Sequence, residues 1–311
     1  MPDRIGFLFP GQGSQTIGMG KDLYDSCASA KKIFDEASKI LDYSVSDLCF
    51  NGPEEKLTRT YYAQPAIFVM SMAALQVLKE KFPEISGTFY AGLSLGEFSA
   101  LVAAEAISFE DGLRLVKKRA EAMERSAEKH PGTMASVMGL AEADCEAVAQ
   151  EAGCEVANLN SPDQTVLSGS QETIEKACKI AEAKGAKRAI ILKVGGAFHS
   201  TLMREAKEDL EKALAATTIR MPRGTFIPNA TAQKTQDPDQ IRTLLAKQLM
   251  SPVRWVGTMA RASEEGISFF LEIGPGKVLK GLARKCQPQL TVEPCGTVAD
   301  LDKLQTLFAQ T

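Results

Sequence analysis

The sequence predicts an α/β fold with a parallel sheet at its core and a small second unit inserted into it. Three observations predict this. Short apolar runs alternate with longer helix-like segments on both sides of the middle of the 311-residue chain, the pattern of strands joined by crossover helices. Between residues 130 and 196 the order changes to strand, helix, strand, strand, helix, strand. The stretch "FYAGLSLGEFSA", residues 89–100, reads as a strand, a tight turn and the start of a helix.

Taken in order, residues 4–9 form a short apolar strand that runs into "PGQGSQ", a loop marked by its glycines and proline. Helices are expected over 28–42 and 64–82. A strand over 88–93 leads into a turn at Ser94, and a helix starts at about Gly96. A long helix covers 109–129, and "HPGT" at 130–133 breaks the pattern. The inserted unit follows: a strand over 134–140, a helix over 142–152, strands over 155–159 and 165–168 joined by "NSPDQ", a helix over 171–184 and a strand over 188–194. That βαββαβ order is the split βαβ of a ferredoxin-like domain. The chain then returns to the larger part with a helix over 200–216, a strand over 225–228, two helices around 238–264 and a strand over 268–273. "GPGK", a helix and a last strand over 290–294 complete it. The expected division is therefore 1–129 with 197–311 as the large part and 130–196 as the insert.

Composition narrows the function. Apolar residues are 44% of the chain and charged residues 24%, as in ordinary globular enzymes. The net charge of −3 gives no footprint for nucleic acid. The N-terminal "MPDRIGFLFPGQG" has no extended apolar stretch of the kind a secretion signal needs. The longest mostly apolar run, 66–78, is broken by Ser71 and Gln76. It is shorter than a bilayer requires and reads as a buried helix. The seven cysteines are scattered, with none in a Cys-x-x-Cys pair, so neither a metal site nor a redox pair is expected. Reduced thiols in the cytoplasm fit that usage.

Gly92-Leu93-Ser94-Leu95-Gly96 matches the Gly-x-Ser-x-Gly turn that lifts a serine nucleophile above a sheet. Three fixed positions are weak alone, so the surroundings decide. Serine needs a base, and the chain has two histidines. His130 sits in the breaker cluster and reads as a solvated loop residue. His199, in "VGGAFHSTLM", follows a strand at the mouth of a helix, where α/β sheets bind ligands. Arg119 falls inside the apolar arc of the long helix, between Leu115 and Met123. A guanidinium there needs an anionic partner, either an internal carboxylate or a substrate carboxylate held by bidentate hydrogen bonds. "PGQGSQ" fails as a phosphate loop because Thr16 stands at the third glycine position, and "GPGKV" lacks the Walker spacing. A glycine-rich loop after the first strand can instead offer an oxyanion donor, with the N–H of Leu95 as the second. No acidic third member of a triad stands out.

Together these residues resemble the malonyl-CoA:acyl-carrier-protein transacylases, in the acyltransferase family of fatty-acid and polyketide synthesis. The resemblance runs through "FLFPGQGSQ", "GLSLGEFSAL", "LVKKRAEAM", "GAFHSTLM", "NATA" at 229–232, "QLMSPVRW" and "EIGPGKVL". It implies a hydrolase-like large subdomain beside the ferredoxin-like one. It implies Ser94 as nucleophile, His199 as base and Arg119 as clamp for the malonyl carboxylate. Gln12 and the N–H of Leu95 would form the oxyanion hole, and Gln248 would orient His199 through its carbonyl. Asn160, Met123 and Phe198 would line the pocket. Phe198 in "GAFH" matches malonyl-selective members. Leu93 departs from the family, where histidine often precedes the nucleophile. The implied partners are malonyl-CoA and acyl carrier protein, with no cofactor, no nucleic acid and no membrane, in a cytoplasmic monomer. Carrier proteins of this kind are acidic, which makes a basic rim the expectation, with Lys187 and Arg188 as candidates.

Other readings share parts of this site. A serine hydrolase or thioesterase would use Ser94 and His199 without needing Arg119 on a buried face. A carrier-binding module would form no covalent adduct. A trans-acting acyltransferase of polyketide synthesis would use the same chemistry on a different carrier.

Overall fold

The structure, a computed structural model, describes residues 4–309. In chain order the elements are β1 (Ile5–Phe9), α1 (Lys21–Ser26), α2 (Ala28–Leu41), α3 (Val45–Asn51), α4 (Glu54–Thr58), α5 (Thr60–Lys81), β2 (Gly87–Gly92), α6 (Gly96–Ala103) and α7 (Phe109–Lys129). There follow β3 (Thr133–Met138), α8 (Glu142–Ala152), β4 (Glu155–Ser161), β5 (Gln164–Gly169), α9 (Gln171–Ala183) and β6 (Arg188–Ile191). Last come α10 (Arg204–Ala215), β7 (Thr225–Phe226), α11 (Pro238–Lys247), α12 (Trp255–Glu264), β8 (Phe269–Ile273), α13 (Val278–Cys286), β9 (Thr291–Cys295) and α14 (Val298–Ala309).

Five strands form a parallel sheet in the order β7-β2-β1-β8-β9. β1 lies at the centre, with the chain stepping to β2 on one side and to β8 on the other. That reversal opens a crevice at the carboxyl ends of the strands. The loops after β1 and β2, which carry Gln12 and Ser94, both leave at this edge. The other four strands form an antiparallel sheet in the order β4-β5-β3-β6, with α8 and α9 packed on it through Cys145, Val148, Ile174 and Ala177. This is the ferredoxin-like arrangement that the βαββαβ order predicts. The outer strand β4 is tied to the larger part of the chain. Val253 donates to the carbonyl of Ala157 (2.8 Å) and accepts from the N–H of Leu159 (2.9 Å). The outermost residues of the expected division, 1–3 and 310–311, lie outside the described residues.

The core of the larger part surrounds α5. This helix has 22 residues, longer than its uninterrupted apolar run, because it starts at Thr60 and carries Pro65 within its first turns. With a mean hydropathy of 1.2 it is long and apolar enough to cross a membrane, contrary to the expectation from the run alone. Yet 83% of its apolar window is buried inside the protein, where it packs against α2 and α7. A helix apolar on every side is a core helix when neighbours cover it on every side.

Several boundaries differ from expectation. The helices α1, α3 and α4 were not expected; each is seven residues or shorter, too brief to show a helical period. The chain does not finish with β9, since α14 follows it and buries Leu301 and Leu304. The strand expected over 188–194 stops at Ile191, and the strand expected over 225–228 shrinks to Thr225–Phe226. The helix expected from 200 begins as a single tighter turn, Thr201–Met203, capped by Ser200.

Candidate active site

Ser94 sits in the left-handed region of the backbone map, with φ of 53°. A non-glycine residue is held there only when its surroundings over-determine it. The flanking glycines allow the turn. A Cβ on Gly92 would lie 2.0 Å from the backbone carbon of Gly96, and one on Gly96 would lie 2.1 Å from the carbonyl oxygen of Phe9. Two polar side chains then clamp the turn. The N–H of Ser94 donates to Asn229 Oδ1 (2.6 Å), while Asn229 Nδ2 donates to the carbonyl of Gly92 (2.8 Å). Gln248 Nε2 donates to the carbonyl of Ser94 (2.9 Å).

His199 meets the turn from the loop after β6, also with a positive φ, 59°. Its Nδ1 lies 2.9 Å from the main-chain carbonyl of Gln248, and its Nε2 lies 2.9 Å from Ser94 Oγ. A carbonyl only accepts, so Nδ1 carries the proton and Nε2 offers its lone pair to the serine hydroxyl. The ring is 5% exposed. Burial, reinforced by the charge of Arg119, pushes it down to about 4, against the pull of the Gln248 carbonyl. At neutral pH it is an uncharged imidazole beside a serine, the state a general base requires. His130 is elsewhere, half-buried, with Nε2 3.3 Å from Glu205.

Arg119 is 1% exposed. One terminal nitrogen donates to Gln64 Oε1 (2.7 Å); the other donates to Ser94 Oγ (2.9 Å) and to Gln248 Oε1 (2.8 Å). All three acceptors are uncharged, and Nε has no partner among the described residues. No carboxylate lies within ion-pair distance of it among the described residues. Burial lowers it to about 10, with Glu97 pulling the other way, so the guanidinium stays charged at neutral pH. A buried cation without a contacting anion is costly, and an incoming carboxylate would offset that cost.

Glu97, in the first turn of α6, is a fully buried carboxyl that pulls on Arg119 without touching it. Its carboxylate accepts from the N–H of Asn229 and from Gln248 Nε2. Burial pushes it up to about 8, while those two donors and Arg119 pull it back.

These side chains border a cavity of about 310 Å³. Ser94, His199, Arg119, Gln12, Met123, Phe198 and Asn160 all line it, as does Leu93. Gln12 Nε2 donates to Thr60 Oγ1 (3.2 Å). Asn160 Oδ1 is buried without a partner among the described residues. Leu95 and Gln248 lie behind the wall, fully buried. The N–H groups of Gln12 and Leu95 meet no acceptor among the described residues. Lys187 and Arg188 are exposed before and at the start of β6 and do not line the cavity, whereas Lys193, beyond the other end of that strand, does. A second cavity of about 340 Å³ is lined by Arg254, Arg261 and Glu142 and holds no serine–histidine pair. Its size does not make it the reactive site.

Three residues of the site escape sequence reasoning. Asn229 and Glu97 contact each other across 132 positions, a pairing that no local pattern marks. Gln64, which contacts Arg119, Gln12 and Met123, lies in the interior of an apolar helix. The one available signal there was a polar residue on a buried face.

Residues 6–311 match the model of the acyl transferase domain family. The chain is 45% identical over 295 residues to the malonyl CoA-acyl carrier protein transacylase of Bacillus subtilis (strain 168), covering 92% of each chain. It is 37% identical over 306 residues to the protein of the same name from Haemophilus influenzae, covering 97% of this chain and 98% of that one. Among solved structures it superposes on an acyl-carrier-protein S-malonyltransferase from Bartonella henselae with a TM-score of 0.93, at 37% identity, over 98% and 99% of the two chains. It also superposes on a malonyl-transacylase in complex with its type II PKS acyl-carrier protein, with a TM-score of 0.94 at 35% identity, over 97% and 98%.

Proposed function

This chain belongs to the acyl transferase domain family, and from that premise we propose that it moves the malonyl group of malonyl-CoA onto the phosphopantetheine thiol of acyl carrier protein, in fatty-acid biosynthesis. Ser94 Oγ attacks the thioester carbonyl while His199 Nε2 takes its proton. The oxyanion is received by Gln12 and the N–H of Leu95. As the carbonyl re-forms, the C–S bond breaks and the CoA sulfur leaves with the proton returned by His199. A malonyl ester remains on Ser94. The carrier thiol then gives its proton to His199 and attacks the ester, and Ser94 leaves as the free hydroxyl.

One observation carries the malonyl assignment: Arg119 is a buried guanidinium whose partners are all neutral and one of which is the nucleophile itself. A malonyl carboxylate would take the place of Ser94 Oγ on that guanidinium, pairing the charge as the substrate arrives. Met123, Phe198 and Asn160 shape the pocket around the acyl group, and the Gln248 carbonyl holds the imidazole in its reactive tautomer. The same reading makes the protein a cofactor-independent cytoplasmic monomer, divided into 1–129 with 197–311 and an inserted 130–196.

Intact mass spectrometry after mixing with malonyl-CoA tests the proposal. A malonyl adduct mapped to Ser94, absent in Ser94→Ala and discharged by holo-acyl carrier protein, is the expected result. Folded protein that acquires no adduct overturns it, and consumption of malonyl-CoA at the same rate with or without carrier would make it a hydrolase.

A further inference from the structure

Glu97 is fully buried, yet it touches neither the cavity nor the reacting atoms. Its two oxygens face two different donors. One accepts from the main-chain N–H of Asn229 and the other from the side-chain amide of Gln248. Those two residues are the clamps of the Ser94 turn described above. Gln248 does more. Its amide nitrogen binds Glu97 and the Ser94 carbonyl, its amide oxygen binds Arg119, and its main-chain carbonyl holds His199.

An amide side chain has a donor end and an acceptor end, and it can turn over. Only one orientation of Gln248 gives Arg119 an acceptor. A carboxyl group whose two oxygens both face N–H donors, placed at the far end of that amide, selects this orientation: nitrogen to Glu97, oxygen to Arg119. We propose that Glu97 is a positioning residue that fixes the Gln248 amide and through it aims the Arg119 guanidinium at the substrate carboxylate. The inference rests on the reading of the site as one for malonyl transfer.

Glu97→Gln separates this role from general support. The main-chain N–H of Asn229 cannot turn over, so the new amide must give it the carbonyl oxygen. The new NH₂ group then faces Gln248. Gln248 has to flip, which sets its oxygen against the Ser94 carbonyl and its own NH₂ group against Arg119. Asn229 keeps its acceptor and continues to hold Ser94, and the main-chain carbonyl of Gln248 continues to hold His199. The loss therefore falls on the guanidinium.

The experiment compares the rates at which malonyl-CoA and acetyl-CoA load Ser94, followed by intact mass. The proteins are the full-length wild type, Glu97→Gln, Arg119→Ala and the double variant. Glu97→Gln should lower malonyl loading relative to acetyl by at least about tenfold, the scale of one lost hydrogen bond to a charged group, and should do so through KM. In the Arg119→Ala background it should add little, since both changes act through the same guanidinium. An unchanged malonyl-to-acetyl ratio, or losses that multiply independently, overturns the proposal. If Glu97→Gln does not fold, Gln248→Met removes the same amide while keeping the main-chain carbonyl on His199. The same selective loss is expected of it, and an unchanged ratio is equally fatal. Wild-type protein that takes no malonyl group overturns the functional reading as well, whereas a wild type that loads malonyl beside a variant that keeps the ratio sinks this inference alone.

Discussion

Lowering the pH should destabilise the protein through His199, and the size of the effect follows from its burial. An unfolded chain protonates this ring near 6.5, whereas the folded protein holds it down to about 4. Above pH 6.5 the ring is neutral in both states and contributes no penalty. Between 6.5 and 4 the unfolded chain binds a proton that the folded protein refuses, so stability falls, and below 4 the penalty levels off. At roughly 1.4 kcal/mol per pH unit, the cost between pH 7 and pH 4 is about 3 kcal/mol. Burial raises two carboxyls the other way, Glu97 to about 8 and Glu272 to about 7. These add stability as the pH falls below their folded values, which masks the histidine in the wild type alone. A comparison with His199→Gln isolates it, since both carboxyls are present in both proteins. Urea unfolding followed by circular dichroism at pH 7, 6, 5 and 4 supplies the two curves. The wild type should lose about 3 kcal/mol more than the variant over that range. Parallel curves would mean that the ring is not held neutral, and the case for His199 as a base poised by burial would fall with it.

Arg119→Ala should cost malonyl loading far more than acetyl loading. Two unit charges about 4 Å apart gain roughly 4 kcal/mol at an effective dielectric of 20, and after desolvation a loss of about thirtyfold or more is expected in the malonyl rate alone. Equal loss of both substrates would assign the arginine to structure only. Gly96→Ala should lower stability by about 3 kcal/mol or more, because its Cβ would lie 2.1 Å from the Phe9 carbonyl oxygen, a backbone atom that cannot swing away. A thermal melt reads this directly, and an unshifted midpoint would show that the turn widens to admit a methyl group without cost.

The parts of the site that were legible in the sequence share one property: each is unusual for its place. Ser94 lies between glycines at a strand end, His199 is one of two histidines, and Arg119 stands on an apolar helix face. The parallel core and the inserted βαββαβ unit were legible because strand and helix periods alternate cleanly there. Glu97 and Asn229 were not, because their meaning lies in a contact between distant segments and 39 acidic residues offer no way to single one out. The direct carboxylate partner entertained for Arg119 is absent among the described residues for a related reason: the carboxyl that reaches it, Glu97, stands one amide away, a geometry no spacing rule encodes. The short helices α1, α3 and α4 escaped because packing, not periodicity, specifies them.

Val253 links the two sheets, and it lies five residues beyond Gln248. Its main-chain hydrogen bonds to Ala157 and Leu159 of β4 make residues 248–253 a strap strung between the small sheet and the imidazole. Asn158 and Asn160, on that same strand, form one wall of the cavity. The strand that supplies this wall and the carbonyl that steadies the imidazole are thus joined by a few residues of one continuous main chain, so the cavity and the base share a support.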